Sequence, residues 1–524
     1  MATRNAYDVV MIGAGHNGLV ASFYLARAGL SVLILEAGEQ VGGACITEEL
    51  FPGYLHESCA QSFYALQPEI LRDTRLVERG LRGRTGGVGT HLYLDGRSLT
   101  LTGDESNDFD QIAQFSVHDA GNYAQWHDFV ERASRLLQPY IMKPPVSLAR
   151  IFADYQGTSD EALLSRLVTT SMGQLMGDFF ESDEILAAMW NPADLGSLWE
   201  TGSGFGFALS RAVSRREIRG VTKPGGTIVG GIGQVTRLLA EAAEEEGVEI
   251  LTASPVSKIL VESGGAAGVE LVDGDRIAAR TVVSSADPKR TFLNLLTGSD
   301  LEAGFLRRVR NLRAKYGCLK FLCTLSELPV FYATEHLDTE WIAGGGIRVR
   351  PSTRYRDLAW EDVWAGRLPR APMLAIAHPS ISDPSRAPAG KHTGSWYIEF
   401  APHRLAEGTW DERREEMADR LLDIIDQYSP NYRSAIIDYK LVTPLDLERD
   451  RLLSDGNIHH IDVIPSQMLD QRPLPELSQY RAPIKDLYLC GAGMHPWGEV
   501  NGAPGHNAAN QILRDLNQPK LRLG

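Results

Sequence analysis

At 524 residues and 43% apolar, the chain can bury a large core and form more than one domain. Its 52 basic and 67 acidic residues give a formal charge of −15 with no basic cluster, which argues against nucleic acid and against electrostatic docking on anionic lipid. No apolar run approaches the length of a membrane span, and Cys45, Cys59, Cys318, Cys323 and Cys490 form neither a CxxC nor a metal spacing.

The first element is an apolar strand, Tyr7 to Ile12, leading into Gly13-Ala14-Gly15-His16-Asn17-Gly18. Each glycine meets a separate demand: a tight turn at Gly13, close approach of a pyrophosphate at Gly15, and helix–strand packing at Gly18. A helix from about Asn17 to Ala28 would aim its positive end, roughly half a charge, at the phosphates. Gly29 stops that helix, and Ser31 to Leu35 reads as the next buried strand. Glu36 follows, 23 residues after Gly13, where a carboxylate can accept ribose hydroxyls and disfavour a 2′-phosphate. Gly42 and Gly43 then let the backbone pass a second phosphate or ribose. The residues before Tyr7 contain no secretory apolar region, and a chain of reduced thiols fits a cytoplasmic enzyme.

Further along, His91–Leu94 and Arg97–Leu101 read as a hairpin closed by Asp95-Gly96 in a type I′ turn. From Asp119 to Trp199 the pattern is mainly helical, broken at Pro144-Pro145. Gly225-Gly226 and Gly230-Gly231-Ile232-Gly233 precede a helix with Val235, Leu238, Leu239 and Ala242 on one stripe. Its Glu244-Glu245-Glu246 run reads as a solvated face ended by Gly247. Strands are expected at Val248–Leu251, Val256–Val261, Gly268–Val272 and Arg276–Ser284. Leu301 to Tyr480 is a second mixed block, with Trp396–Phe400 its most strand-like piece. Finally, Leu487 to Cys490 is an apolar strand ending in Gly491 and Gly493, and Asn501-Gly502-Ala503 opens a last helix. There is no internal repeat, and no G-x-S-x-G elbow supports acyl transfer.

The stretches VVMIGAGHNGLVASFYLARAGLSVLILEAGEQVGGACITEELFPGYLHES, GGIGQVTRLLAEAAEEEGVEILTASPVSKI, TVVSSADP and LYLCGAGMHPWGEVNGAPGHNAA resemble the phytoene-desaturase-like branch of the amine-oxidase superfamily of flavoproteins. Within it they resemble in particular the bacterial relatives of pyridine nucleotide-disulfide oxidoreductase domain-containing protein two. The resemblance implies an α/β fold with non-covalently bound FAD. A Rossmann-like FAD-binding domain (1–80, 222–300 and 481–524) would be interleaved with an α+β substrate domain (81–221 and 301–480). It also implies adenine beside the backbone at Val256, pyrophosphate beside Gly491 and Gly493, and N–H groups of Asn501, Gly502 and Ala503 aimed at the pyrimidine side of the flavin. One departure stands out: many amine oxidases carry Arg after the paired glycines, where this chain has Ala44 and Cys45. That shifts the expectation from amine oxidation towards desaturation and leaves open what neutralises the phosphates.

The cofactor would carry the hard chemistry. Desaturation beside a carbonyl needs a base, whereas desaturation of a polyene need not. His495 and Glu499, just before the last helix, are the catalytic candidates, against the plainer alternatives of a loop histidine and a helix cap. His56 and Glu57 could face the ring or belong to the core; Trp396 and Tyr397 could line a tunnel or pack inside. His459-His460 with Asp462 is not read as a metal site, because neighbours on a strand point to opposite faces; no metal is expected. The absence of CxxC argues against disulfide reduction. Three functions remain: an FAD-dependent desaturase of a lipophilic isoprenoid-like or cyclic carbonyl substrate, an FAD-dependent amine oxidase, and a flavin-binding interaction protein with little turnover. A small-molecule substrate is the expected partner. A smaller substrate is favoured over a carotenoid-sized one because no amphipathic basic helix marks a membrane-facing entrance, and the oligomeric state is open.

Overall fold

Val9, Val10 and Met11, all fully buried, sit on the opening strand, Ala6–Ile12, and are flanked on both sides by parallel partners. A strand covered on both edges and both faces reads as a continuous apolar run, which is what the sequence carries there. In the computed structural model, which describes residues 6–84, 88–190, 197–298 and 300–517, the first of two seven-stranded sheets runs in the order Val256–Glu262, Gly265–Leu271, Arg276–Ser284, Ala6–Ile12, Val32–Leu35, Glu249–Leu251. Leu487–Leu489 pairs parallel with the end of Arg276–Ser284, placing Val282 opposite Leu487 while Thr281 faces Val9. The two ends of the chain therefore meet one strand apart.

The helix His16–Arg27 packs against Gly233–Glu245 and Ala503–Asp515. The first of these buries the expected stripe of Val235, Leu238, Leu239 and Ala242. The second comes so close that a Cβ at Gly505 would lie 2.2 Å from the Asn17 carbonyl oxygen, so only glycine permits the crossing.

The second sheet runs Ile436–Val442, Tyr316–Leu325, His392–Pro402, Met373–Ala377, Gly346–Val349, Gly89–Leu92, Ser98–Leu101. All its pairings are antiparallel except that between Gly346–Val349 and Gly89–Leu92. The helices Val117–Leu137 and Ser203–Ser214 pack together and share the first sheet's core, with Trp126 touching the rings of Phe179, Phe180 and Phe207. Together the two sheets and their helices make the α/β architecture read from the sequence. Among the described residues no helix is long and apolar enough to cross a membrane.

The hairpin turn differs from expectation. A type I′ turn needs positive φ at both central residues, yet only Gly96 (φ +87°) adopts it. Asp95 instead accepts the Arg97 N–H on Oδ1 at 3.0 Å, and Tyr93 N–H donates to the Arg97 carbonyl at 3.1 Å. The loop is thus one residue longer than a two-residue turn.

Candidate active site

The two sheets wall a cavity of about 660 Å³. On the first sheet's side its floor is the glycine turn. Gly13 (φ +93°) rests on Ser285, whose hydroxyl donates to the carbonyls of Ile12 and Gly13, both at 3.0 Å. A Cβ on Gly18 would lie 2.3 Å from the Gly13 oxygen, so that glycine is required by packing. Gly15 is different. A Cβ there meets nothing within 4 Å, because Gly15 faces the cavity at the start of the helix His16–Arg27. Its bareness leaves room for a ligand, and the helix N-terminus favours an anion.

The second glycine loop is stitched to the first: Gly42 N–H donates to the Ala14 carbonyl at 2.9 Å, and a Cβ on Gly43 would come within 3.5 Å of the Gly15 Cα. Glu36 binds both ends of this arrangement, accepting Ala14 N–H at 2.7 Å and Gly38 N–H at 2.8 Å. A carboxylate has about four acceptor positions, so two remain at the cavity wall for a diol. Val256 borders the same cavity at the start of its strand.

The C-terminal candidates stand one layer back. A Cβ on Gly491 would lie 2.3 Å from the Ser285 oxygen and one on Gly493 2.7 Å from Pro288 Cδ; Ala492 between them reaches the cavity. Asn501 accepts Ala503 N–H at 2.8 Å and donates to the Trp497 carbonyl at 3.0 Å, while Gly502 (φ +71°) is pressed against Ile70. Of this loop, Glu499 and Val500 are the residues that line the cavity.

The two catalytic candidates separate. His495 is fully buried off the wall, donates from Nε2 to the Tyr140 carbonyl at 2.9 Å, and is held down to about 4 by burial. Glu499 lies on the wall in a left-handed conformation (φ +64°) and accepts the Tyr64 hydroxyl at 2.9 Å. His56 and Glu57 are off the wall; Glu57 accepts Arg386 Nη1 at 2.5 Å, and burial lowers His56 to about 3. Trp396 is core, donating to the Tyr432 hydroxyl at 2.6 Å, whereas Tyr397 lines the cavity. His459 and His460 occupy a turn, so the opposite-faces argument does not apply: both border the cavity. Asp462 turns instead to Arg313 Nε at 2.8 Å and Asn457 Nδ2 at 2.9 Å.

Several residues on the wall or directly behind it escaped the sequence reading. Gln61 accepts Lys320 Nζ and the Ser395 hydroxyl (2.8 Å) on one oxygen, which leaves its amide nitrogen to the cavity. Burial pushes Lys320 down to about 8. Arg386 bridges Glu57 and Asp383 (3.1 Å) with all three buried. Arg472 donates to the carbonyls of Ala492 (2.9 Å) and His459 (3.0 Å), tying two wall loops together. Lys320 left a faint signal by interrupting the apolar run Cys318–Cys323, and so did Arg348, a further wall residue, which with Arg350 alternates with Ile347 and Val349.

Residues 18–313 match the family described as flavin containing amine oxidoreductase. Pyridine nucleotide-disulfide oxidoreductase domain-containing protein 2 of Mus musculus is 32% identical, over 97% of this chain and 94% of its own length. Phytoene desaturase (lycopene-forming) of Pantoea ananas is 25% identical, over 97% and 99% respectively. The solved structure of cyclohexylamine oxidase from Brevibacterium oxydans shares the fold, with a TM-score of 0.59 at 15% identity over 98% of this chain and 100% of that one.

Proposed function

The chain belongs to the flavin containing amine oxidoreductase family, and from that premise we propose that it is a C–C dehydrogenase using non-covalent FAD on a lipophilic isoprenoid-like or cyclic carbonyl substrate. It is an FAD-dependent oxidoreductase; the desaturation and the substrate are the proposal. The observation that carries it is the cavity bounded by the two stitched glycine loops on one side and by the antiparallel sheet, with Ala375, Ile376 and Ala377, on the other. FAD bound there would supply a two-electron sink that takes a hydride from one carbon as the neighbouring carbon loses a proton.

Gly13, Gly15, Gly42 and Gly43 would hold the pyrophosphate by their bare backbone, Glu36 the ribose, and Val256 the adenine edge. Arg290, which lines the cavity beside Ser285, is proposed to supply the phosphate-neutralising charge that Ala44 and Cys45 do not. Glu499, oriented by Tyr64, is proposed as the proton acceptor for a carbonyl-activated substrate, and His495 as an anchor for the Tyr140 segment. Gly491, Gly493, Asn501, Gly502 and Ala503 would support the wall from behind. The division into 1–80, 222–300 and 481–524 against 81–221 and 301–480 is supported by the sorting of strands between the two sheets. Five buried free thiols fit a reducing compartment such as the cytoplasm.

Amine oxidation is the second function, favoured by the two tyrosines on the wall, Tyr64 and Tyr397. Against it stands Arg348 on the same wall, because an alkylamine is a cation at neutral pH and like charges repel. Anaerobic bleaching of the flavin absorbance by a panel of an acyclic isoprenoid, a saturated cyclic ketone, a primary amine and NADH tests the choice. Bleaching by the isoprenoid or ketone is expected; bleaching by the amine alone would move the chain to the oxidases.

A further inference from the structure

The antiparallel wall carries a guanidinium that the described residues leave without a hydrogen bond or ion pair. Arg348, on the strand Gly346–Val349, lines the cavity and makes no side-chain hydrogen bond or ion pair among the described residues. The chain makes room for its head group: a Cβ on Gly346 would stand 3.1 Å from Arg348 Nη1, and Gly344, Gly345 and Gly346 all border the cavity. Glu399 is the carboxylate whose field reaches it, but Glu399 acts on Arg350 and Arg356 as well. Glu399 is thus shared among three guanidiniums, of which Arg348 alone lines the cavity, while Asp357 also reaches Arg356. Arg350 is already committed, donating to the Trp190 carbonyl at 2.9 Å, and Arg356 lies over the Trp190 ring at 4.4 Å. Arg211, over the Phe207 ring at 4.9 Å, adds a further positive charge to the cavity lining.

A buried charge is costly unless something pairs with it, and a guanidinium placed like that of Arg348 on a cavity wall is compensated when an anion enters. Burial lowers the pKa of Arg348, which is the mark of a cation stripped of water without a matching anion.

We propose that the substrate is a lipophilic carboxylic acid whose carboxylate is received by Arg348 while its apolar body lies along Ala375, Ile376 and Ala377. The planar fork of a guanidinium matches a carboxylate with two parallel hydrogen bonds. Glu399 on the same wall selects a monoanion, since a phosphate dianion would meet it with a second negative charge. The position of Arg348, on the sheet opposite the glycine loops, separates this subsite from the one proposed for the FAD phosphates. The proposal rests on the dehydrogenase function above and narrows its substrate.

The test uses the flavin-loaded protein titrated with citronellic acid, its methyl ester and citronellyl phosphate, with affinity read by calorimetry and flavin content checked for each variant. Wild type is expected to bind the acid at least about tenfold more tightly than the ester. Arg348→Met should raise the Kd of the acid by roughly 10- to 100-fold and leave that of the ester unchanged, and Arg348→Lys should recover part of the loss. Equal affinities for acid and ester, an unaffected Arg348→Met, no binding of the acid by wild type, or tightest binding of the phosphate would each overturn the carboxylate subsite. Loss of flavin from both variants would assign Arg348 to the cofactor and overturn it as well. An acid that binds through Arg348 yet never reduces the flavin upholds the subsite and removes the desaturase.

Discussion

Gly15 and Gly18 are both bare, but a side chain would meet cavity at one and backbone at the other. Gly15→Val should therefore give a folded protein with the thermal midpoint of flavin-free wild type and an FAD Kd raised at least about tenfold. Gly18→Ala should instead cost on the order of 1–3 kcal/mol in chemical denaturation, because a methyl group is forced against the Gly13 carbonyl. A Gly15→Val protein that purifies with full flavin would put the pyrophosphate elsewhere. The two catalytic candidates divide in the same way. His495→Ala leaves the Tyr140 carbonyl without its donor and should cost about 1–3 kcal/mol in stability while the rate of flavin reduction holds. Glu499→Gln should keep stability and slow reduction by a carbonyl-activated substrate by about 10²- to 10⁴-fold; equal rates would remove Glu499 as the proton acceptor.

At the scale of elements, the buried trio of Arg386, Glu57 and Asp383 joins the segment after the strand Tyr54–His56 to the turn before the strand His392–Pro402. Arg386 also donates to the Ile228 carbonyl at 2.9 Å. Replacing it with Met strands two buried carboxylates, so unfolding by urea should require about 3–5 kcal/mol less than in wild type. An unchanged denaturation midpoint would mean that the carboxylates find other partners. The elements themselves were largely legible. Glycines at turns and continuous apolar runs located strands of the first sheet, and the stripe Val235, Leu238, Leu239, Ala242 located a helix, because those signals are local. The Gln61–Lys320 contact was not legible: its members lie 259 positions apart, and neither neighbourhood announces the other. The histidine pair at 459 and 460 was misplaced on a strand because its apolar surroundings imitate one, while the positive φ of His460 (+68°) shows the turn.

At the scale of the whole molecule, five buried histidines are held in neutral form. His16, His378 and His495 are held to about 4 and His56 and His460 to about 3, in each case chiefly by burial. An unfolded histidine takes up a proton near pH 6.5, so below that point the unfolded chain binds more protons than the folded one. Stability is therefore full above about pH 6.5 and falls as the pH drops towards 4, by up to about 1.4 kcal/mol per pH unit for each histidine. Thermal midpoints measured from pH 7 to 4.5 should decline steadily; a flat profile would mean that these rings reach water.

The meeting of the chain's two ends in one sheet was foreseeable only through the resemblance, since no local pattern in Leu487–Leu489 names Arg276–Ser284 as its partner. That long-range assembly brings the glycine loops opposite a wall of small and apolar residues, and the chemistry should follow from it. The most direct test is the mass of the product formed in a single anaerobic turnover of the flavin-loaded protein with a saturated isoprenoid or cyclic ketone. A dehydrogenase should yield one equivalent of product lighter by two hydrogens for each flavin reduced, with the carbon skeleton and every heteroatom retained. Protein that carries no flavin, or flavin reduced only by amines with release of an imine or its carbonyl hydrolysis product, would contradict it.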